Sequence, residues 1–269
     1  MRLAVVGHVE WCTFLRVETL PRPGEIVHVE EVWEEAGGGG AVAAVELARL
    51  AGTAALYTSL GADDAGRRAR AQLEALGVTV HSAPSEQPQR RATVFVDAMG
   101  ERTIAVIGTK LIPRGNARGI AWGELGRADG VFFVSGDVEA LEAARRARVL
   151  VATPRELPTL RSGAVPLDAL VGSGDDEGER YHPGELDPAP ALVVSTAGHL
   201  GGWAQPGGPY RAAPLPGAFE DVYGAGDCFA AALTYALARG LETAEALALA
   251  AERGAEALTR RGAHGGAAA

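Results

Sequence analysis

Short apolar runs alternate along the chain with longer segments of helical character. The runs are bounded by glycine or polar residues, and they occupy residues 3–7, 54–60, 130–136, 149–152 and 191–196. Short, almost wholly apolar runs are typical of strands that are buried on both faces of a parallel sheet. Their alternation with helical segments therefore predicts an α/β fold with a doubly wound, mostly parallel sheet.

A second group of strands does not fit this alternation. Residues 26–33 mix β-branched and charged side chains, and residues 91–107 contain two such strands around a polar turn, which is a hairpin pattern. We expect these strands to form a small sheet outside the main one, inserted at about residues 10–35 and 90–108. The whole is predicted to be a single domain of residues 1–269.

The most informative stretch is Asp-Val-Tyr-Gly-Ala-Gly-Asp-Cys-Phe at residues 221–229, which runs into an alanine-rich helix that ends at Gly240. A glycine turn before a helix leaves backbone N–H groups unpaired at the positive end of the helix dipole, and this favours binding of a phosphate. Asp227 lies at that turn, where a carboxylate can accept a proton from an attacking hydroxyl. The alternative is an ordinary glycine turn with an N-capping aspartate.

Asp-x-x-Gly-Ala-Gly-Asp followed by a small-residue helix resembles the second signature of the ribokinase-like carbohydrate kinases, the phosphofructokinase B family. The resemblance implies that Asp227 is the catalytic base. It implies that the backbone amides of Gly224, Ala225 and Gly226 form the anion hole for the transferred phosphoryl group. It also implies a monovalent cation, K⁺, near Asp221, and a lid that closes over the sugar.

Residues 36–52 contain a run of four glycines that opens a helix. These glycines are contiguous, so they match a dinucleotide-binding fingerprint poorly. They could also form a flexible linker or allow tight packing of the helix on the sheet. The run resembles the first signature of the family, in which a glycine pair contacts sugar hydroxyls, and Gly38 and Gly39 match that pair. The family often has asparagine a few residues later, where this chain has Val42.

Two later segments resemble the nucleotide-binding parts of the family. Thr196, Gly198 and Gly201 match a Thr-x-Gly-x-x-Gly motif that helps to hold the phosphates of ATP. Alone, this segment would be read as a turn. Ala263 and His264 resemble the final Gly-Ala turn beside the adenine.

The acidic, glycine-rich residues 172–179 have the composition of a solvated surface loop. By order along the chain, they fall where the family has Asn-x-x-Glu, a motif tied to magnesium and phosphate. The match here is Ser173-x-x-Asp176. The resemblance thus implies that Asp176 holds Mg²⁺, and a carboxylate acting through water is compatible with an octahedral shell.

The segment after Gly7 is expected to contact the phosphate acceptor, because ligands gather at the carboxyl ends of parallel strands. The family usually has a sugar-binding aspartate that aligns with Cys12, and a thiol is a weak substitute for it. Glu10 lies two positions earlier, on the same side of an extended segment. Our hypothesis is that the acid has moved to position 10, so that the acceptor differs from ordinary ribose or fructose. Alternatively, Glu10 is solvated and Cys12 packs under the lid.

Composition excludes several other classes. A formal net charge of −9 makes the chain a poor candidate for binding nucleic acid. No apolar run is long enough to cross a membrane, and no secretory leader is seen. Cys12 and Cys228 give neither a disulfide framework nor metal-ligand spacing, so a reducing, cytoplasmic location is expected.

These observations favour an ATP- and Mg²⁺-dependent kinase that phosphorylates a hydroxyl of a sugar or sugar-like molecule, and a homodimer formed through the lid. One alternative is a non-catalytic relative that binds a nucleotide or metabolite, motivated by Cys12, Val42 and Ser173. Another is a nucleoside or vitamin kinase of the same superfamily. The intact Asp227 and its glycines favour an enzyme, because a protein that only binds ligands has no need of a base.

Overall fold

The computed structural model describes residues 1–265, so the last four residues of the predicted domain lie outside the described residues. The main sheet has nine strands in the order β13-β12-β11-β10-β9-β8-β1-β4-β5. All neighbours from β11 to β5 in that order are parallel, and β12 and β13 add an antiparallel hairpin at the edge. These strands are β1 (Leu3–Val6), β4 (Ala54–Gly61), β5 (Val78–Ser85), β8 (Gly130–Phe133), β9 (Val149–Ala152), β10 (Ala169–Ser173), β11 (Val193–Thr196), β12 (Gly202–Gln205) and β13 (Gly208–Tyr210).

Helices cover both faces of this sheet, which confirms the predicted doubly wound α/β fold. One face packs against α1 (Gly39–Ala51), α2 (Asp64–Ala75), α5 (Ala225–Ala238) and α6 (Thr243–Ala257). The other face packs against α3 (Val138–Ala144), α4 (Leu157–Gly163) and a short 3₁₀ segment, Trp122–Arg127. The strands between these layers are almost wholly buried, as their apolar composition requires. Within residues 1–265, no helix is both long enough and apolar enough to span a bilayer.

Four strands form a second, smaller sheet in the order β3-β2-β6-β7. They are β2 (Glu10–Val17), β3 (Val29–Gly37), β6 (Arg91–Val96) and β7 (Arg102–Ile107). The β2–β6 pair is parallel and the other two pairs are antiparallel, so this sheet is mixed. We call these four strands the lid sheet. One face of it buries Cys12, Phe14 and Val94 against the main body of the protein.

Several element boundaries differ from those expected. Helix α3 is short and stops at Ala144, and Arg148 N–H donates to Ala128 O as the chain enters β9. Strand β3 begins at Val29 and continues to Gly37, where its end delivers the glycine run to α1. Gly172 and Ser173 belong to the end of β10, and only the residues after them form a surface loop.

Candidate active site

The amino end of α5 has free backbone donors. Gly224 precedes the helix in a left-handed conformation (φ 75°), and no side chain caps the helix. Cys228 N–H donates to Gly224 O (2.9 Å), while none of the described residues accepts from the N–H groups of Ala225, Gly226 or Asp227. Gly226 is exposed, and a Cβ there would meet nothing within 4 Å. The turn therefore presents N–H groups to open space, as an anion site requires.

Asp227, in the first turn of α5, lies against the glycine pair that opens α1. A Cβ on Gly39 would come within 2.8 Å of Asp227 Oδ1, so a larger residue at position 39 would displace the carboxylate. Gly38 has a φ of 81°, and a Cβ there would lie 3.2 Å from both Glu10 Cγ and His8 Cδ2. The two glycine segments, which are far apart in sequence, thus meet on either side of one small region.

The surroundings of Asp227 disfavour its charged form. Burial raises the pKa of Asp227 to about 6, the negative charge of Glu179 adds to this effect, and Arg102 and Arg155 oppose it. A carboxyl group with such a pKa is ionised at neutral pH and is a stronger proton acceptor than an ordinary aspartate. These properties suit a general base.

Glu10 begins β2 at the carboxyl end of β1 and is buried. Its Oε1 lies 2.9 Å from Arg90 Nε, which forms an ion pair in a partly buried setting. Burial raises the pKa of Glu10, while Arg90 and Lys110 lower it. The side chain of Glu10 thus lies beside Gly38, and Arg90 partly neutralises its charge. Its contact with an acceptor stays a prediction.

Cys12 does not have the place expected of an acceptor-binding residue. Its side chain is fully buried, and Sγ lies 3.5 Å from the hydroxyl of Tyr223. The same hydroxyl accepts a hydrogen bond from Gly38 N–H (3.0 Å). A Cβ on Gly37 would collide with Tyr223 Oη, so glycine at 37 lets this tyrosine reach the lid sheet. We therefore correct the assignment: Cys12 packs under the lid, covered by Tyr223.

Val42, the other departure in this region, lies in α1 and is buried under the anion turn. A Cβ on Gly224 would come within 2.8 Å of Val42 Cγ1. The valine supports the turn through packing and offers no polar group to a ligand.

The predicted phosphate-binding segment follows β11, next to the acidic loop. Thr196 ends that strand, its carbonyl oxygen accepts from Gly174 N–H (2.8 Å), and the exposed Gly198 begins a 3₁₀ turn. Gly201 has a φ of 93° and packs against the backbone of Tyr210, where a side chain would not fit. Gly201 thus shapes the turn, and nucleotide contacts of all three residues stay predictions.

Ala263 and His264 lie in a buried turn after α6, held against β3. Glu35 Oε2 accepts from Ala263 N–H (2.7 Å), and His264 Nε2 donates to Ala36 O (2.7 Å). Burial lowers the pKa of His264 to about 4, so the ring is neutral. The side chain of His264 fixes this turn on the lid sheet, and an adenine contact here stays a prediction.

The two residues expected near cations are both engaged by protein groups. Asp176 pairs with Arg155 and accepts from Gly178 N–H (2.8 Å). Asp221 is fully buried and accepts from Tyr223 N–H (2.8 Å) and Gly262 N–H (2.7 Å). Within the described part of the chain, no three histidine, cysteine, aspartate or glutamate side chains cluster as metal ligands.

A scan against family models supplies the identity of this arrangement. Residues 1–111 and 167–268 match the model described as pfkB family carbohydrate kinase. The chain belongs to the pfkB family. The matched residues include the first glycine run, the Thr-x-Gly segment and the anion turn.

Comparison with known proteins also gives partial sequence relatives and solved structures of the same fold. The chain is 32% identical over 108 residues to a ribokinase of Dictyostelium discoideum and to an ATP-dependent ribose-1-phosphate kinase of Halopiger xanaduensis. The alignments cover 39% and 40% of this chain, and they span only about a third of each relative (34% and 36%). The fold matches a ribokinase structure from Thermotoga maritima with a TM-score of 0.76 at 23% identity, over 98% of this chain and 95% of that one.

Sequence reasoning missed several polar residues of this pfkB site. Four of them lie outside the motifs, and no local pattern marks them: Arg90, Lys110, Ser135 and Arg155. His8 and Glu179 lie within segments that the sequence singles out, but no role was assigned to either side chain. Glu179 is instructive, because its Oε1 lies 2.6 Å from Arg155 Nε and its charge raises the pKa of Asp227. The only available signal was its place at the end of the acidic run that includes Asp175, Asp176 and Glu177.

Proposed function

We propose that this protein is an ATP-dependent kinase that transfers a phosphoryl group to a hydroxyl of a sugar or sugar-like small molecule. One observation carries the proposal: Asp227 lies at the uncapped amino end of α5 and directly against Gly39. A proton acceptor, an anion site and a narrow place for a small ligand are thereby adjacent. Membership of the pfkB family supports the same reaction class.

In this mechanism, Asp227 accepts the proton of the acceptor hydroxyl as its oxygen attacks the terminal phosphorus of ATP. The bond from that phosphorus to the bridging oxygen breaks, and ADP leaves. The N–H groups of Ala225, Gly226 and Asp227 stabilise the charge on the phosphoryl oxygens, an electrostatic role that dominates phosphoryl transfer. Closure of the lid sheet over the acceptor would exclude water and prevent wasteful hydrolysis.

The phosphates of ATP fit the uncapped turn, because its N–H groups have no other acceptor among the described residues. Mg²⁺, when bound, neutralises charge on the phosphates. It usually keeps several waters and needs only one or two protein carboxylates, so the lack of a ligand cluster within residues 1–265 is compatible with its use. We assign Asp176, through water, to Mg²⁺, and the surroundings of Asp221 to K⁺. Both free cysteines are buried, which suits the cytoplasmic location that we propose.

Two alternatives make different predictions. A non-catalytic relative would bind a nucleotide or metabolite without turnover, yet a carboxylate placed against Gly39 at the uncapped turn has no use in such a protein. A nucleoside or vitamin kinase would use the same anion turn with a different acceptor. The pairing of Glu10 with Arg90 favours a polar, hydroxyl-rich acceptor over a flat base.

The decisive experiment screens sugars, polyols, sugar phosphates, nucleosides and vitamins for acceptor-dependent conversion of ATP to ADP. Asp227→Asn is the matched control, since it keeps the side-chain size but cannot take the proton. We expect the variant to lose about 10²–10⁴-fold in kcat while its affinity for ATP changes little. Wild-type turnover in Asp227→Asn would overturn the assignment of the base. Binding of ATP without turnover on any acceptor would favour the non-catalytic relative.

A further inference from the structure

His8 stands at the acceptor side of the candidate site, at the first position after Gly7. Its carbonyl oxygen accepts from Gly40 N–H (3.2 Å), which fixes it relative to the start of α1. Its ring lies beside Gly38, on the same side as Glu10, while Asp227 lies against the neighbouring Gly39. The ring is thus placed next to the region where an acceptor hydroxyl must approach Asp227.

The hydrogen-bond network fixes which ring nitrogen of His8 carries the proton. Nδ1 lies 3.1 Å from the hydroxyl oxygen of Ser135, which follows β8 and is fully buried. Among the described residues, that hydroxyl has no other hydrogen-bond partner, so its proton goes to Nδ1. The remaining nitrogen, Nε2, then carries a proton and has no acceptor within the described part of the protein. His8 is partly exposed, so this donor can reach a ligand.

The electrostatic surroundings keep the ring in this neutral form. Burial lowers the pKa of His8 well below its ordinary value, and the positive charges of Lys110, Arg90 and Arg155 lower it further. A neutral Nε2–H donor therefore stands close to Glu10, whose carboxylate is an acceptor held by Arg90. His8 can donate a hydrogen bond to one oxygen of a polyol while Glu10 accepts a hydrogen bond from a neighbouring hydroxyl of the same molecule.

We propose that His8, oriented by Ser135, determines acceptor specificity by donating a hydrogen bond from Nε2 to an oxygen of the phosphate acceptor. This inference rests on the proposed kinase function. Glu10 can accept a hydrogen bond from the phosphate acceptor, and His8 adds a second side chain that donates a hydrogen bond to it. Ser135 acts through His8 and is a positioning residue.

The test compares four substitutions, one of them Ser135→Ala, in steady-state kinetics with the acceptor that the screen identifies. The same variants are compared in calorimetric titrations with D-ribose, D-fructose, erythritol and glycerol. His8→Phe keeps the ring size and removes the donor. His8→Gln keeps an amide donor near the position of Nε2. His182→Phe changes an exposed histidine outside the site and serves as the control.

We expect His8→Phe to raise the KM for the acceptor by about tenfold or more, because an oxygen of the bound acceptor then loses its hydrogen-bond donor. The KM for ATP should stay within about twofold, and His8→Gln should recover most of the loss. Ser135→Ala should raise the acceptor KM by a smaller factor of about threefold, since the ring can then adopt either tautomer.

The outcomes are separable. An active wild type whose acceptor KM is unchanged in both His8→Phe and Ser135→Ala would overturn the role of His8 and leave the kinase assignment intact. Equal losses for ATP and acceptor in His8→Phe, with no recovery in His8→Gln, would also overturn it, since they indicate a folding role. A wild type that neither binds nor phosphorylates any compound tested would instead overturn the proposed function.

Discussion

The raised pKa of Asp227 predicts that the proposed reaction is sensitive to pH. The base works only when it is deprotonated, so activity is expected to fall as the pH drops through the pKa of about 6. Below that pH, the rate should fall about tenfold for each pH unit. The measurement is kcat/KM for the acceptor between about pH 4.5 and 8, at saturating ATP.

Glu179→Gln is the informative partner in this experiment. After burial, the negative charge of Glu179 is the largest cause of the raised pKa of Asp227. Removing that charge should move the acidic limb of the profile to lower pH without abolishing activity. A limb in the ordinary aspartate range for the wild type, or an unchanged limb in Glu179→Gln, would contradict this account.

Glu10 carries the next prediction. Glu10→Gln retains the shape of the side chain but removes its charge, and so loses both the ion pair with Arg90 and a charged hydrogen-bond acceptor beside Gly38. We expect a rise of about tenfold or more in the KM for the acceptor, with the KM for ATP unchanged. A variant that matches the wild type on both substrates would show that the Glu10–Arg90 pair is only structural.

The residues that could be predicted from sequence are those whose role is set locally. Gly224, Gly226 and Asp227 follow one another, so the turn, the free N–H groups and the carboxylate are encoded within a few positions. The surroundings of Cys12, in contrast, could not be predicted from its neighbours in sequence. Its surroundings depend on Tyr223, which is 211 positions away, and no pattern near Cys12 indicates that a tyrosine covers it.

At the scale of the elements, a buried carboxylate links α1 to α6 and to the residues just after α6. Glu46 in α1 is fully buried, and its oxygens lie 2.5 Å from Arg253 Nε and 3.0 Å from Arg260 Nη1. Burial raises the pKa of Glu46, but the two arginines outweigh it, and the net shift is downward. These ion pairs link α1 to α6, and both helices also pack against α5, whose amino end carries the anion turn.

Glu46→Gln should therefore destabilise the protein by about 3 kcal/mol, because it removes the one fully buried carboxylate that two mostly buried arginine side chains share. Glu74→Gln is the control: its pair with Arg70 is exposed, and its loss should cost less than about 0.5 kcal/mol. Urea unfolding of both variants measures the difference. Equal stabilities would show that Glu256, which also contacts both arginines, is sufficient to balance them.

Strands made of uniformly apolar residues could be predicted from the sequence, while strands that mix apolar, small and polar residues could not. The apolar run at residues 3–7 predicts a buried strand, and β1 occupies Leu3–Val6. Strand β5 was missed, since Val78–Ser85 ends in small and polar residues at the edge of the sheet. Strand β10 was missed because its glycine and serine were read as part of the acidic loop. Strand order, which depends on contacts distant in sequence, has no local signal at all.

Considered as a whole, the molecule is a nine-stranded body with the lid sheet on one side, and that sheet is incompletely covered. Every residue of the edge strand β7 is exposed. Ile104 and Val106 pair with Val94 and Ala92, which are buried, so their side chains share the face that packs on the body. This apolar face therefore continues beyond the main body and stays open to solvent at β7.

We propose that a second copy of the lid sheet covers this face, forming the homodimer expected from the sequence. Ile104 is 40% exposed and Val106 is 45% exposed, and an edge strand with such residues is prone to associate. Light scattering at micromolar concentration should then give a mass near twice 27.7 kDa. Ile104→Lys should yield a monomer, because it places a charge within the apolar contact. Ile107→Lys, on the opposite face of the same strand and 57% exposed, should leave the dimer intact. The reverse result would assign the interface to the outer face, and a wild-type monomer would exclude the dimer.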